Sequence, residues 1–319
     1  MFFLQLRMMV LVAALFGIVL AVITMIGTYL GINNFIFYVF AAAGVMFFQY
    51  LIGPKMVEWT MRVKYVTRKE YPRLFDMVES LAIRAEIPMP KIGISQINLP
   101  NAFAFGRSLK DGRVCVTQGI LDLLDDNELK AVLGHELTHL KSRDVLTITL
   151  LSVIPMVMYW IYWRFAFAGS RRDERGANTM LIGLAAFIFY LITNLLVLYG
   201  SRIREYFADR GSINLGNSPA SLASALYKLV YGAARIDKEE IKQVEGLKAF
   251  FASDPSQAQN EIRELKSLDR DRSGSIEPEE LAALRNKNIK VGLGDKLMEL
   301  YSTHPNMLKR IKQLSSYQS

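Results

Sequence analysis

Histidine is scarce in this chain: 319 residues hold three, His135, His139 and His304. Imidazole chemistry is confined to those positions. Cysteine is scarcer still, and the single Cys115 excludes an internal disulfide. Its run, Val114-Cys115-Val116, reads as a strand in which the thiol is a small buried hydrophobe, consistent with a soluble part in a reducing compartment. Charge is sparse too: 21% of residues are charged and 51% apolar, and the mean hydropathy of +0.20 excludes an ordinary soluble enzyme.

What the chain has in place of charge is long apolar runs. Four approach the roughly 20 residues that cross a bilayer, at about 8–30, 34–53, 146–168 and 180–199, and pair as two hairpins. The stretch from Met1 to Arg7 does not open a signal peptide, because the apolar run is long, lacks a small-residue cleavage site and is followed at once by a second run. An uncleaved anchor is expected. Lys55, Arg62, Lys64, Arg68, Lys69 and Arg73 follow the second run, whereas the turn Gly31 to Asn34 is uncharged, so the part that follows is expected to face the cytoplasm. Against that rule, the loop of the second hairpin carries Arg171, Arg172 and Arg175 beside Asp173 and Glu174, and Pro155 offers a kink for a shallower path. Tyr159, Trp160, Tyr162 and Trp163 fit either an interfacial belt or helix packing. The net charge of +8 sits mostly beside the apolar runs, which points to anionic headgroups and not to nucleic acid.

Two of the three histidines stand four residues apart in His135-Glu136-Leu137-Thr138-His139. On a helix, positions i and i+4 share a face, so both imidazoles reach one metal ion while Glu136 points at its open position. Asp125 with Glu128 reads as a capping pair, and Leu129, Val132, Leu133 and Leu140 form an apolar stripe away from the histidines. Zinc in a hydrolase takes three protein ligands and leaves the fourth position to water. His304 and several acids are candidates for the third ligand. Glu205 fits best, because Asp209 follows one turn later, placed to accept a hydrogen bond from a metal-bound imidazole. Since His135 precedes the second hairpin and Glu205 follows it, runs three and four must return the chain to the same side.

With these motifs in order, the chain resembles the HtpX-type membrane metalloproteases of the M48 group. The resemblance rests on Asn101-Ala102-Phe103-Ala104 followed by Phe105-Gly106, the His-Glu-x-x-His helix ending at Asp144, Glu205 with Asp209 after a membrane hairpin, and His304-Pro305 near the C-terminus. It implies one Zn2+ per chain held by His135, His139 and Glu205, with Glu136 as general base and Asp209 behind a ligand. It also implies an edge strand at Asn101 to Ala104 that takes up substrate peptide, and His304 as a donor to the developing oxyanion, with Arg310 as the other candidate. The implied function is a zinc endopeptidase of protein quality control under stress, acting on damaged membrane proteins. The prenyl-protein-processing branch of the group has more spans than the four counted here. A non-proteolytic scaffold or calcium-responsive adaptor on the same fold is expected to have lost Glu136 or a ligand.

The expected fold is α+β: a mainly helical, zincin-like catalytic domain with a small antiparallel sheet, plus four transmembrane helices. Short strands are read near Lys91 to Ile97, Ala102 to Phe105 and Arg113 to Thr117, and Ser218-Pro219 opens a helix to about Ala234. The domains are read as a hairpin over 1–54, a catalytic half over 55–145, a second hairpin over 146–199 and a second catalytic half over 200–319. A charged insertion runs from about 236 to 292, after which Gly292, Gly294 and Asp295 mark a return to the catalytic body. Within it, Asp269 to Glu280 matches the twelve-residue EF-hand loop. Asp269, Asp271, Ser273, Ser275, Glu277 and Glu280 stand at the ligand positions, Gly274 at the sharp turn and Ile276 at the apolar position. Ca2+ is the expected ligand, although Arg270 and Arg272 lower the local negative charge and only one such loop exists.

Overall fold

The computed structural model describes residues 20, 23–32, 34–142, 155, 158–159, 161–162, 174–234, 261–262, 265–266, 268–285, 299–300, 302 and 304–317. Most of the apolar runs at 8–30 and 146–168, Asp144, Trp160, Trp163, the loop arginines 171 and 172, most of the insertion, and the glycines at 292 and 294 lie outside these residues. The chain divides into two units, residues 1–53 with 146–200 and residues 54–145 with 201–319.

In the first unit the longest described helical stretches are most of α1 (Phe35–Thr60) and most of α5 (Glu174–Asn214). Among the described residues one helical stretch, Met180–Asn214, is long and apolar enough to cross a membrane. Its outer surface is built of large apolar side chains, Met180, Leu181, Leu184 and Ile188 among them, as on α1 are Phe40, Phe47 and Phe48. Tyr159 and Tyr162 pack on Tyr190 and Phe187 of α5, with ring centroids 5.5 and 5.0 Å apart. These two tyrosines therefore make helix contacts.

The second unit holds a four-stranded sheet of β1 (Val63–Tyr65), β2 (Lys91–Ser95), β3 (Ala102–Phe105) and β4 (Arg113–Thr117), in the order β1-β2-β4-β3. The sheet is mixed, not antiparallel as expected. β1 pairs antiparallel with β2 and β3 with β4, but β2 and β4 run parallel, Gly93 opposite Cys115. The reason lies in the connections. β3 and β4 form a hairpin across residues 106–112, and β4, the later strand, inserts between β3 and β2, which leaves β3 at the edge.

Strand alternation serves two cores. Ala102, Val114 and Val116 point into the main core with α2 (Pro72–Ala85), α3 (Gln118–Leu123), α4 (Asp126–Lys141) and α6 (Pro219–Ala234), whereas Phe103, Phe105 and Cys115 meet Val57, Met61 and Leu99 on the other face. Cys115 is fully buried, and burial pushes its thiol far above the usual range.

α4 begins at the expected cap. The Asp125 side chain accepts from the backbone N–H groups of Asn127 and Glu128, and Glu128 Oε2 accepts from Asp125 N at 2.9 Å. The same Glu128 is buried against α6, where Ser224 Oγ donates to Oε1 at 2.6 Å and Lys228 Nζ stands 2.7 Å away. One carboxylate thus starts α4 and fastens it to α6. The remaining layer is α7 (Pro278–Leu284) and α8 (Met307–Ser315), whose Leu281, Leu284, Met307, Ile311 and Leu314 close the main core.

Candidate metal centre

Two helices bring the centre together. His135, Glu136 and His139 lie on α4, and Glu205 and Asp209 on the C-terminal part of α5. The two helices approach closely. Ser212 Oγ on α5 donates to the Ala131 carbonyl at 2.6 Å, and a Cβ added at Gly211 would stand 2.2 Å from Thr138 Cγ2. Thr138 is stiff and its hydroxyl is tied to the Gly134 carbonyl at 2.8 Å, so it has little room to move. Gly211→Ala is expected to destabilise the second unit by about 1–3 kcal/mol through overpacking, measured as a lower thermal midpoint together with weaker metal retention.

The side chains converge on one point. His135 Nε2 and His139 Nε2 face each other at 3.1 Å, and the Glu205 carboxylate stands 3.5 Å from each, through Oε2 and Oε1 respectively. Nitrogen and oxygen ligands held about 2.0–2.1 Å from a tetrahedral zinc would stand about 3.3–3.4 Å apart. The donor set fits such an ion in both chemistry and spacing. Asp271, Asp269 and Glu280 form the other group of possible metal ligands among the described residues.

His135, Glu136, Glu205 and Asp209 are all buried. Asp209 Oδ1 lies 2.9 Å from His135 Nδ1, the ring nitrogen turned away from the other donors. Burial opposes a charge on His135, but the Asp209 and Glu205 carboxylates outweigh it and hold its pKa above the ordinary imidazole value. Burial pushes the Glu136 carboxyl above the ordinary range, against the pull of His135 and His139.

Arg310 on α8 is the residue whose part the sequence left open. Its guanidinium is completely buried and grips Asp209 with two hydrogen bonds, Nε to Oδ2 at 2.9 Å and Nη2 to Oδ1 at 2.6 Å, while Nη1 stands 2.8 Å from Glu205 Oε2. Burial works against its charge, yet the two carboxylates hold its pKa raised. Committed to those carboxylates, it is poorly placed to serve an oxyanion. His304 differs: it is buried, its Nδ1 lies 3.2 Å from Glu205 Oε2, and neither ring nitrogen makes a well-formed hydrogen bond. The segment before it is anchored by Arg202, whose Nη1 donates to the carbonyls of Glu299 at 2.7 Å and Ser302 at 2.9 Å. Arg202 went unread in the sequence, though its position three residues before Glu205 marks it as one helical turn away. Asn101 to Ala104 lie on the edge strand and its approach, with Asn101 N bonded to Thr117 Oγ1 at 2.9 Å.

A sequence model of peptidase family M48 matches residues 68–318. The chain belongs to that family. It is 54% identical over 227 residues to a protein named protease HtpX homolog from Methanothermobacter thermautotrophicus, covering 71% of this chain and 86% of that one. A protein of the same name from Moorella thermoacetica is 39% identical over 313 residues, covering 96% of this chain and 90% of the other. Among solved structures, the crystal structure of S. mikatae Ste24p aligns with 97% of this chain and 65% of its own at a TM-score of 0.48 and 16% identity. Membership of M48 makes the protein a membrane-associated metalloprotease.

Proposed function

We propose that the protein is an integral-membrane zinc endopeptidase that cleaves misfolded or damaged membrane proteins on the cytoplasmic side. The observation that carries this reading is the convergence of two imidazole nitrogens and one carboxylate beside a buried glutamate. His135, His139 and Glu205 would hold the ion, which when bound polarises a carbonyl and makes water more acidic. Glu136 takes the proton from the attacking water and returns it to the leaving amine as the peptide bond breaks. His304 donates a hydrogen bond to the carbonyl oxygen as negative charge develops there. Asp209 fixes the tautomer and orientation of His135, and Asp209→Asn is expected to weaken zinc binding about 10–100-fold, read by chelator competition.

Substrate selection is proposed to work through the backbone. β3 is the edge strand next to α4 in the main core, and an extended peptide adding to it would gain main-chain hydrogen bonds with little demand on side chains. Only a locally unfolded protein supplies such a segment. The apolar outer surfaces of α1 and α5 support a membrane-embedded part, read as two helical hairpins. In proteoliposomes, a destabilised reporter membrane protein should be cut and its folded parent spared, with cleavage abolished by zinc chelation and restored by zinc. Equal cutting of both reporters would reject the quality-control role, and chelator-resistant cleavage would reject the metal.

A further inference from the structure

The acidic loop in the C-terminal insertion plays no part in the peptidase centre. Its sequence pattern is stricter than a cluster of acids, because it also fixes positions that are not acidic. Gly274, the sixth residue, has φ +84°, the left-handed turn that EF-hand loops require at that place. Ile276, the eighth, is buried in the main core, and Leu281 and Leu284 of the following helix join it there, as do Leu265 and Leu268 on the preceding side.

The oxygens turn inward. Ligand atoms of Asp269, Asp271 and Glu280 lie within 4.8 Å of one another. Asp269 is itself buried, at 7% exposure. Glu277 Oε1 accepts from the hydroxyls of Ser273 and Ser275 at 2.7 and 2.8 Å, while Glu277 Oε2 is sealed from solvent and accepts no hydrogen bond. A buried carboxylate oxygen without a donor calls for a partner that the protein does not supply.

We propose that Asp269 to Glu280 is a calcium site, with oxygens from Asp269, Asp271, Ser273, Ser275 and Glu277 and a bidentate Glu280. The site joins two parts of the catalytic unit. Asp269 Oδ2 accepts from Tyr227 Oη on α6 at 3.1 Å, and Glu280 lies in the first turn of α7. A bound ion therefore ties α6 to α7 in the layer that also carries α8. With one unpaired loop and two arginines beside the acids, the dissociation constant is expected at about 10⁻⁵–10⁻³ M.

The test uses the full chain, purified in detergent and loaded with zinc, titrated with calcium in a calorimeter. One-site heats are expected in the native protein and none in Glu280→Gln. Asp271→Asn, at an exposed position, should weaken binding without disturbing the fold. Terbium offers a second readout: Tyr227 should sensitise its emission, calcium should quench that emission, and Tyr227→Phe should lose the emission but keep the calcium heats. Zinc content should be the same in all variants, so the outcome is independent of the peptidase reading. Equal heats in native and Glu280→Gln protein, or no heats up to millimolar calcium, would overturn the site.

Discussion

Glu136→Gln protein is expected to keep its zinc and to lose about 10²–10⁴-fold of its peptide-cleaving rate, the range general-base catalysis supplies. The substitution preserves volume and leaves His135, His139 and Glu205 in place, so the ligand set should be intact. What it removes is the one group on α4, between the two histidines, that can carry a proton from water to the leaving amine. The setting favours the proposed role: Glu136 is 6% exposed and its carboxyl is raised by burial, so it takes up a proton more readily than a solvated glutamate. Metal analysis beside casein cleavage checks both halves. Cleavage surviving in a variant that holds zinc would mean that another group moves the proton.

Arg310→Met should have the second large effect, on stability instead of rate. The guanidinium is completely buried and contacts Asp209 through two hydrogen bonds and Glu205 through an ion pair. A methionine fills much of the volume but leaves two buried carboxylates without their cation, and breaking a buried pair from one side costs about 3–5 kcal/mol. Because a bound zinc would also compensate Glu205, the loss should be greater in chelator-treated protein than in zinc-loaded protein. Thermal melts of native and variant protein, with and without chelator, measure the difference. An unchanged midpoint in the chelated variant would show that the carboxylates find another partner.

The parts of this site that were legible in the sequence are local ones. Asp125 and Glu128 announce the start of α4 because a capping box needs only a three-residue spacing, and the two histidines share a face because they are one helical turn apart. The helix from Pro219 to Ala234 was legible for the same reason. The parallel pairing of β2 with β4 was not, since nothing in Lys91–Ser95 or Arg113–Thr117 tells which neighbour each strand takes once β3 stands between them in the chain. Glu128 read as a cap, and its second bond to Lys228, 100 residues away, was hidden. Arg310 is the sharpest case. Its place six residues after His304 suggested an oxyanion donor, and only the tertiary fold brings it to Asp209, 101 residues earlier.

His135, His139 and Glu205 are proposed to share one ion, and zinc stoichiometry of the purified protein beside a Glu205→Ala variant tests that most directly. One zinc per chain in the native protein and none retained in the folded variant after dialysis is the predicted result. Full zinc occupancy in Glu205→Ala would contradict it and place the metal elsewhere in the chain.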